Sequence, residues 1–121
     1  MPCPFCKIVE GDFAYIIYED DLLLSFLNNK PERNGHSLLI TKKHYEDFTD
    51  LPDELVLHIN KVAIELTAKI TKLLNAKSMT LRTNIGESQT VKHYHMHLVP
   101  NILDYEEEIE PLEEVYKRLK R

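Results

Sequence analysis

The chain has 121 residues, 43% of them hydrophobic and 29% charged, with a formal net charge of −5. That length suits one domain with its own core, and the composition argues against disorder. No run of Lys and Arg forms a stripe, which argues against wrapping of duplex nucleic acid. A small anionic ligand stays open, because a pocket's local field can oppose the net sign.

The opening stretch "MPCPFCKIVEGDF" holds no long apolar run, so neither a signal peptide nor a membrane span is expected, and nothing later reaches membrane length. The expected location is cytoplasmic and reducing, where two cysteines are free thiols or metal ligands rather than a disulfide. "AYIIYEDDLLLSFL" reads as strands at about 14–18 and 22–27, with Glu19, Asp20 and Asp21 as a tight turn. The polar loop "NNKPERNG" leads to a short apolar strand at 36–41. In "PDELVLHINKVAIELTAKITKLLN", Leu55, Ile59, Val62, Leu66, Ile70 and Leu73 recur at helical spacing. Pro52 fits a first-turn proline there, Asp50 a cap, and Asp53 and Glu54 complement the helix dipole. His58, beside the apolar face, is expected on the surface. "SMTLRTNIG" predicts a strand ending in a turn at 84–88, and "VKHYHMHLVP" the last strand. Beyond Pro100 the chain is acidic, then basic. Pro111 opens a short helix whose Leu112, Val115 and Leu119 share a face, expected as a solvated terminal helix. Five strands around one long helix predict a single antiparallel α+β domain.

Three of the six histidines, His93, His95 and His97, occupy alternate positions of that last strand. Alternation puts their imidazoles in one row and Tyr94, Met96 and Leu98 on the opposite, core-like face. Three buried imidazoles each need partners, so plain packing explains the row poorly. A metal site is one alternative, although neighbours on one strand face do not converge on a point unaided and no carboxylate lies in the motif. Phosphate is the other. Clustered imidazoles lower one another's pKa, which keeps His95 neutral and able to attack phosphorus, and a phosphorus–nitrogen bond is labile enough to release. The polar turn of Asn84, Gly86, Ser88, Gln89 and Thr90 just upstream offers donors to phosphate oxygens.

The run from His93 to Val99 resembles the His-x-His-x-His signature of the histidine triad nucleotide hydrolases and transferases. "FCKIVEGDF", "YEDD", "SFL", "GHSLLITKKH" and "QTVKH" resemble further family segments in the right order, so the likeness covers Cys3 to Pro100 within a family-like core of 1–103. The tail, 104–121, lies outside it. The resemblance implies an HIT-like antiparallel sheet and a nucleotide substrate. It makes His95 the nucleophile at the α-phosphate, with His93 and His97 orienting it and bonding the phosphate, and His36 the fourth histidine. Gln89, Thr90 and Asn84 match the family's phosphate contacts. Asn28 stands where many members carry an aspartate for the ribose hydroxyls, and its amide lacks that charge. "NNKPERNGH" and "QTVKH" resemble the fragile histidine triad branch, which implies dinucleoside polyphosphates such as Ap4A or Ap3A ahead of phosphoramidates or adenylated amines. The "CPFCKI" opening is more similar to general bacterial members. Phe5, Ile8, Phe26 and Leu27 are candidates for the base and ribose as well as for plain core. A homodimer with one site per subunit is also implied, and no organic cofactor. A non-catalytic nucleotide-binding module, or a metal-dependent protein using the triad as ligands, are the other readings.

The two-residue gap between Cys3 and Cys6 lets both thiolates reach one tetrahedral zinc ion. His44 and His93 are available to complete the set, and some family members with this cysteine pair resemble the chain in the third ligand too. Two free thiols and a surface His44 are the alternative.

Overall fold

A computed structural model describes residues 3–120. In chain order it contains helix α1 (Pro4–Val9), strands β1 (Ile16–Glu19), β2 (Leu23–Leu27) and β3 (Ser37–Thr41), and the long helix α2 (Asp53–Leu74). Strands β4 (Met79–Arg82) and β5 (His95–Pro100) and helix α3 (Leu112–Leu119) follow. The five strands form one sheet in the order β1-β2-β3-β5-β4, every pair antiparallel, as the α+β reading requires.

In β2 and β3 alternation divides the side chains between two cores. Leu23, Leu27 and Leu39 face α2, while Leu24, Phe26, Leu38 and Ile40 face α1, and every residue of both strands is buried. α2 seals its side with Leu55, Ile59, Val62, Leu66 and Ile70, as the helical spacing predicts, and Leu73 packs at the margin. Each such fully buried aliphatic chain contributes about 1.5–3 kcal/mol.

Three local expectations need correction. The start of α2 has Pro52 as its cap position and no side-chain cap. Asp50 instead pairs with Asp47 in a reciprocal capping box around a single 3-10 turn, Phe48–Asp50. His58 is half-buried and bonded: its Nε2 lies 2.7 Å from Asp20, whose carboxylate also takes the Tyr18 hydroxyl at 2.6 Å. Asp20 further accepts the Leu22 and Leu23 amides at 2.8 Å, so one side chain builds the β1–β2 turn and ties it to α2. The α3 helix forms, but it is not a solvated appendage. Val115 and Leu119 are 2% and 1% exposed, seated in the α2-side core.

The loop before β3 is held from the far end of the chain. Arg33 donates to the carbonyls of Asn101 and Ile102 at 3.2 and 2.9 Å and lies over the Tyr105 ring. Asn34 donates to Glu107 and to the Glu108 carbonyl, both at 2.9 Å, and accepts the Glu110 amide at 2.8 Å. Gly35 has φ 87°, and a methyl group there would collide with Leu74 of α2. This glycine lets the chain turn into β3 with His36 aimed at the row.

Candidate active site and metal cluster

Register places the histidines. His95 pairs with Ile40 and His97 with Leu38, so both imidazoles stand on the α1 face of the sheet. Tyr94, Met96 and Leu98 pack into the opposite core, as the alternation predicts. β5 itself begins at His95, so His93 stands just outside the strand, where the Tyr94 amide bonds the Tyr45 carbonyl at 2.7 Å. The imidazoles nevertheless form a line in two parts, with Phe5 edge-on to His93 at 5.9 Å and to His95 at 5.1 Å. Ring centroids lie 4.7 Å apart for His44–His93, 5.0 Å for His95–His97 and 5.1 Å for His36–His97.

Backbone carbonyls assign the tautomers. His95 Nδ1 lies 2.8 Å from the His93 carbonyl, which can only accept, so the proton sits on Nδ1 and Nε2 keeps its lone pair. His36 Nδ1 accepts the Glu32 amide at 3.0 Å, leaving Nε2–H to donate to His97 Nδ1 at 2.9 Å. His97 therefore carries its proton on Nε2. Burial, then the neighbouring His95 and His36, push His97 down to about 4; burial also lowers His36 to about 4. Burial likewise lowers His95 and His93, so the row is neutral at neutral pH.

His95 and His97 open onto a cleft of about 620 Å³, well within the size of small-molecule sites. Phe5, Ile8, Phe26 and Leu27 line it, together with Asn28 and Thr90. Phe5 meets the Phe26 ring edge-on at 5.7 Å and the His95 ring at 5.1 Å. Two of the expected phosphate contacts do not line the cleft. Gln89 is buried, and its amide donates to the Glu46 carbonyl at 2.6 Å. Asn84 donates to the Ser88 hydroxyl at 3.2 Å, bracing the turn from within. In this structure both side chains shape the loop that carries Thr90. The cleft also takes Phe13, Asn29, Lys30 and Leu112, which motif spacing did not single out. Lys30 stands two residues after Asn28, and that proximity is the one sequence signal for it.

At the other end of the line, Cys3, Cys6, His44 and His93 bring one ligand atom each within 4.8 Å of one another. His93 Nε2 donates to the Thr41 carbonyl at 2.7 Å, which frees Nδ1, and that nitrogen lies 3.4 and 3.5 Å from the Cys3 and Cys6 sulfurs. His44 Nδ1 approaches the Cys6 sulfur at 3.2 Å. Burial, reinforced by Cys3, pushes the Cys6 thiol up to about 11, and two thiols this close ionise together only around a cation. Two sulfurs and two imidazole nitrogens are the donor set of a closed tetrahedral zinc site. The residues fit zinc in number and type, and His93 fits it in tautomer.

Comparison with known proteins agrees with this geometry. The HIT domain family matches residues 13–102. A HIT-like protein of Saccharolobus solfataricus is 37% identical over 101 residues, covering 81% of this chain and 73% of its own. The adenosine 5'-monophosphoramidase of Schizosaccharomyces pombe is 36% identical over 103 residues, covering 83% and 74%. Among solved structures, a zinc-bound histidine triad family protein from Mycobacterium smegmatis superposes with a TM-score of 0.82 at 34% identity, over 99% of this chain and 91% of that one. With the triad, its fourth histidine and the sheet that carries them in register, the chain belongs to the HIT, or histidine triad, family of nucleotide hydrolases and transferases.

Proposed function

We propose that this protein transfers a nucleotidyl group through a covalent bond to His95 Nε2. The observation that carries the reading is the His95 Nδ1 bond to the His93 carbonyl, which leaves Nε2 a free nucleophile at the cleft. With the base and ribose against Phe5, Ile8 and Phe26, Nε2 attacks the α-phosphorus as the bond to the leaving group breaks. His97 Nε2–H donates to a phosphate oxygen, whose charge rises in the transition state. Water then attacks the nucleotidyl-histidine and releases the nucleotide, completing two easier steps in place of one. The test is turnover of a radiolabelled adenylate quenched in alkaline denaturant, which preserves the acid-labile phosphorus–nitrogen bond and should leave label on His95; label absent from the wild-type protein would reject the covalent intermediate.

For the substrate, dinucleoside polyphosphates stand first. Lys30 lines the cleft beside Asn28 and Asn29 and supplies a cation for an anionic polyphosphate leaving group. The likeness to a monophosphoramidase supports adenosine phosphoramidate as the second reading. Specificity constants for Ap4A and adenosine phosphoramidate, measured on one preparation, decide between them.

Zinc held by Cys3, Cys6, His44 and His93 is proposed as a structural ion, consistent with the reducing cytoplasm expected for free thiols. It would supply a cross-link between α1 and the row and hold His93, whose carbonyl sets the His95 tautomer. Elemental analysis of untagged protein should find about one equivalent.

A homodimer is proposed on the surface formed by β4 and α2. β4 is an edge strand, and beside it Ile64 and Leu81 are 71% and 44% exposed around a hollow of about 340 Å³. An unpaired edge flanked by apolar side chains suits a second copy of the same surface. Light scattering at micromolar concentration should return twice the chain mass.

A further inference from the structure

One residue of the loop before β3, Glu32, acts on the histidines through its backbone and on the sheet through its side chain. Its amide donates to His36 Nδ1 at 3.0 Å. That single bond decides the tautomer of His36, and through the 2.9 Å His36–His97 bond it decides which nitrogen of His97 carries the proton. Were the amide withdrawn, His36 could hold its proton on either nitrogen, and His97 would no longer be obliged to present Nε2–H.

The amide belongs to a loop with no strand or helix of its own to hold it. Its side chain reaches β4, where the carboxylate meets the guanidinium of Arg82 with both oxygens: Oε1 lies 3.3 Å from Nη1, and Oε2 contacts Nη2. Arg82 is the register partner of His97, so strand pairing fixes it relative to the histidine that the loop serves. A two-point fork holds orientation as well as distance. The two side chains are 37% and 39% exposed, where an ion pair adds little to global stability. Its effect is therefore local: it closes a ring from β4 through the loop and His36 back to His97 on β5.

We propose that Arg82 and Glu32 are positioning residues, whose bidentate pair keeps the Glu32 amide on His36 Nδ1 and so sets the tautomer with which His97 meets the phosphate. The catalytic consequence rests on the nucleotidyl-transfer reading, whereas the tautomer consequence does not.

The test joins ¹⁵N NMR of histidine-labelled, ligand-free protein to kinetics on an adenylate substrate. In the wild type, His36 and His97 should both show a protonated Nε2 and an unprotonated Nδ1. In Arg82→Gln both rings should shift toward a tautomer mixture while His58 keeps its signals. kcat should fall about tenfold with KM within about twofold, the pattern of a misplaced group that acts in the transition state. The double variant Arg82→Glu with Glu32→Arg, which rebuilds the pair with its charges exchanged, should restore both readouts. Wild-type tautomers in Arg82→Gln overturn the proposal, as does a double variant no better than the single one. A wild-type protein that turns over no adenylate would remove the nucleotidyl reading alone, and the tautomer arms would still decide this one.

Discussion

The two ends of the imidazole line use the same side chain for opposite purposes. At the His44–His93 end, His93 donates Nε2–H to the Thr41 carbonyl and points a bare Nδ1 at two sulfurs. At the His95–His97 end, His95 donates Nδ1–H to a carbonyl and keeps a bare Nε2 at an open cleft. In both cases a backbone carbonyl chooses the tautomer, and the choice decides whether the lone pair meets the cysteine sulfurs or the open cleft. The difference teaches that repetition in sequence does not imply repetition in role; the peptide groups facing each ring assign it.

The comparison breaks most sharply at His95. His95→Ala should cut the proposed turnover by roughly a thousandfold or more while the fold and the proposed zinc site stay intact. The His93 carbonyl loses a partner there, a cost of about 1–3 kcal/mol in unfolding free energy. Retained turnover in that variant would erase the distinction between the two ends. The reciprocal change, Cys3→Ser with Cys6→Ser, should reduce bound zinc below about a tenth of an equivalent. It should lower the thermal midpoint by roughly 5–10 °C and cut kcat less than His95→Ala does. Metal analysis and a melting curve on the same sample check this, and full zinc content would reject the ligand set.

Acid sharpens the contrast from the cleft end. His36 and His97 have folded-state pKa values near 4 against an ordinary 6.5, so the folded form refuses protons that the unfolded chain accepts. Stability from these two groups is full above about pH 6.5, declines as pH falls, and is lost once pH passes through about 4. Urea midpoints should drop from pH 7 to pH 5, and His36→Asn should flatten that drop; a midpoint independent of pH would contradict the buried-neutral assignment. The smallest expected effect lies at the cleft's rim. Lys30→Ala should raise KM for Ap4A by about three- to fivefold and leave the phosphoramidate KM within twofold, since an exposed cation adds only modest binding. Equal changes for both substrates would remove Lys30 from the specificity argument.

The parts of the fold written as periodicity were readable in advance. The α2 face needs only its spacing of three and four, and the β5 alternation correctly separates Tyr94 and Leu98 from His95 and His97. The ligand cluster was readable too, because the Cys3–Cys6 gap is local and the histidines are few. What spacing could not show was tertiary in origin. α1 spans six residues, too short to form alone, and its Phe5 is buried between Phe26 and the histidine rings. The α3 face was visible as a pattern, but whether it meets solvent or core depends on where α2 lies. Asp50 fits a cap by spacing, and only the chain path into the 3-10 turn shows that it does not cap α2. Gln89 was placed by motif, and its inward turn toward Glu46 depends on a residue 43 positions away.

The His95 and His36 tautomers rest on local contacts, but the contacts that assemble the two sites join distant parts of the chain. Cys3 and His93 are separated by 90 residues, His36 and His97 by 61, and the Asn34–Glu107 bond spans 73. During synthesis the thiols therefore emerge first and wait for both imidazoles, and the loop carrying His36 waits for the acidic segment that clasps it. A growing chain can complete the β1–β2–β3 meander early, since those strands are consecutive. Neither the Cys3–Cys6–His44–His93 cluster nor the His36–His97 pair exists until β5 is inserted between β3 and β4. Both clusters thus arrive in one late step of assembly, and a chain interrupted before β5 completes neither of them.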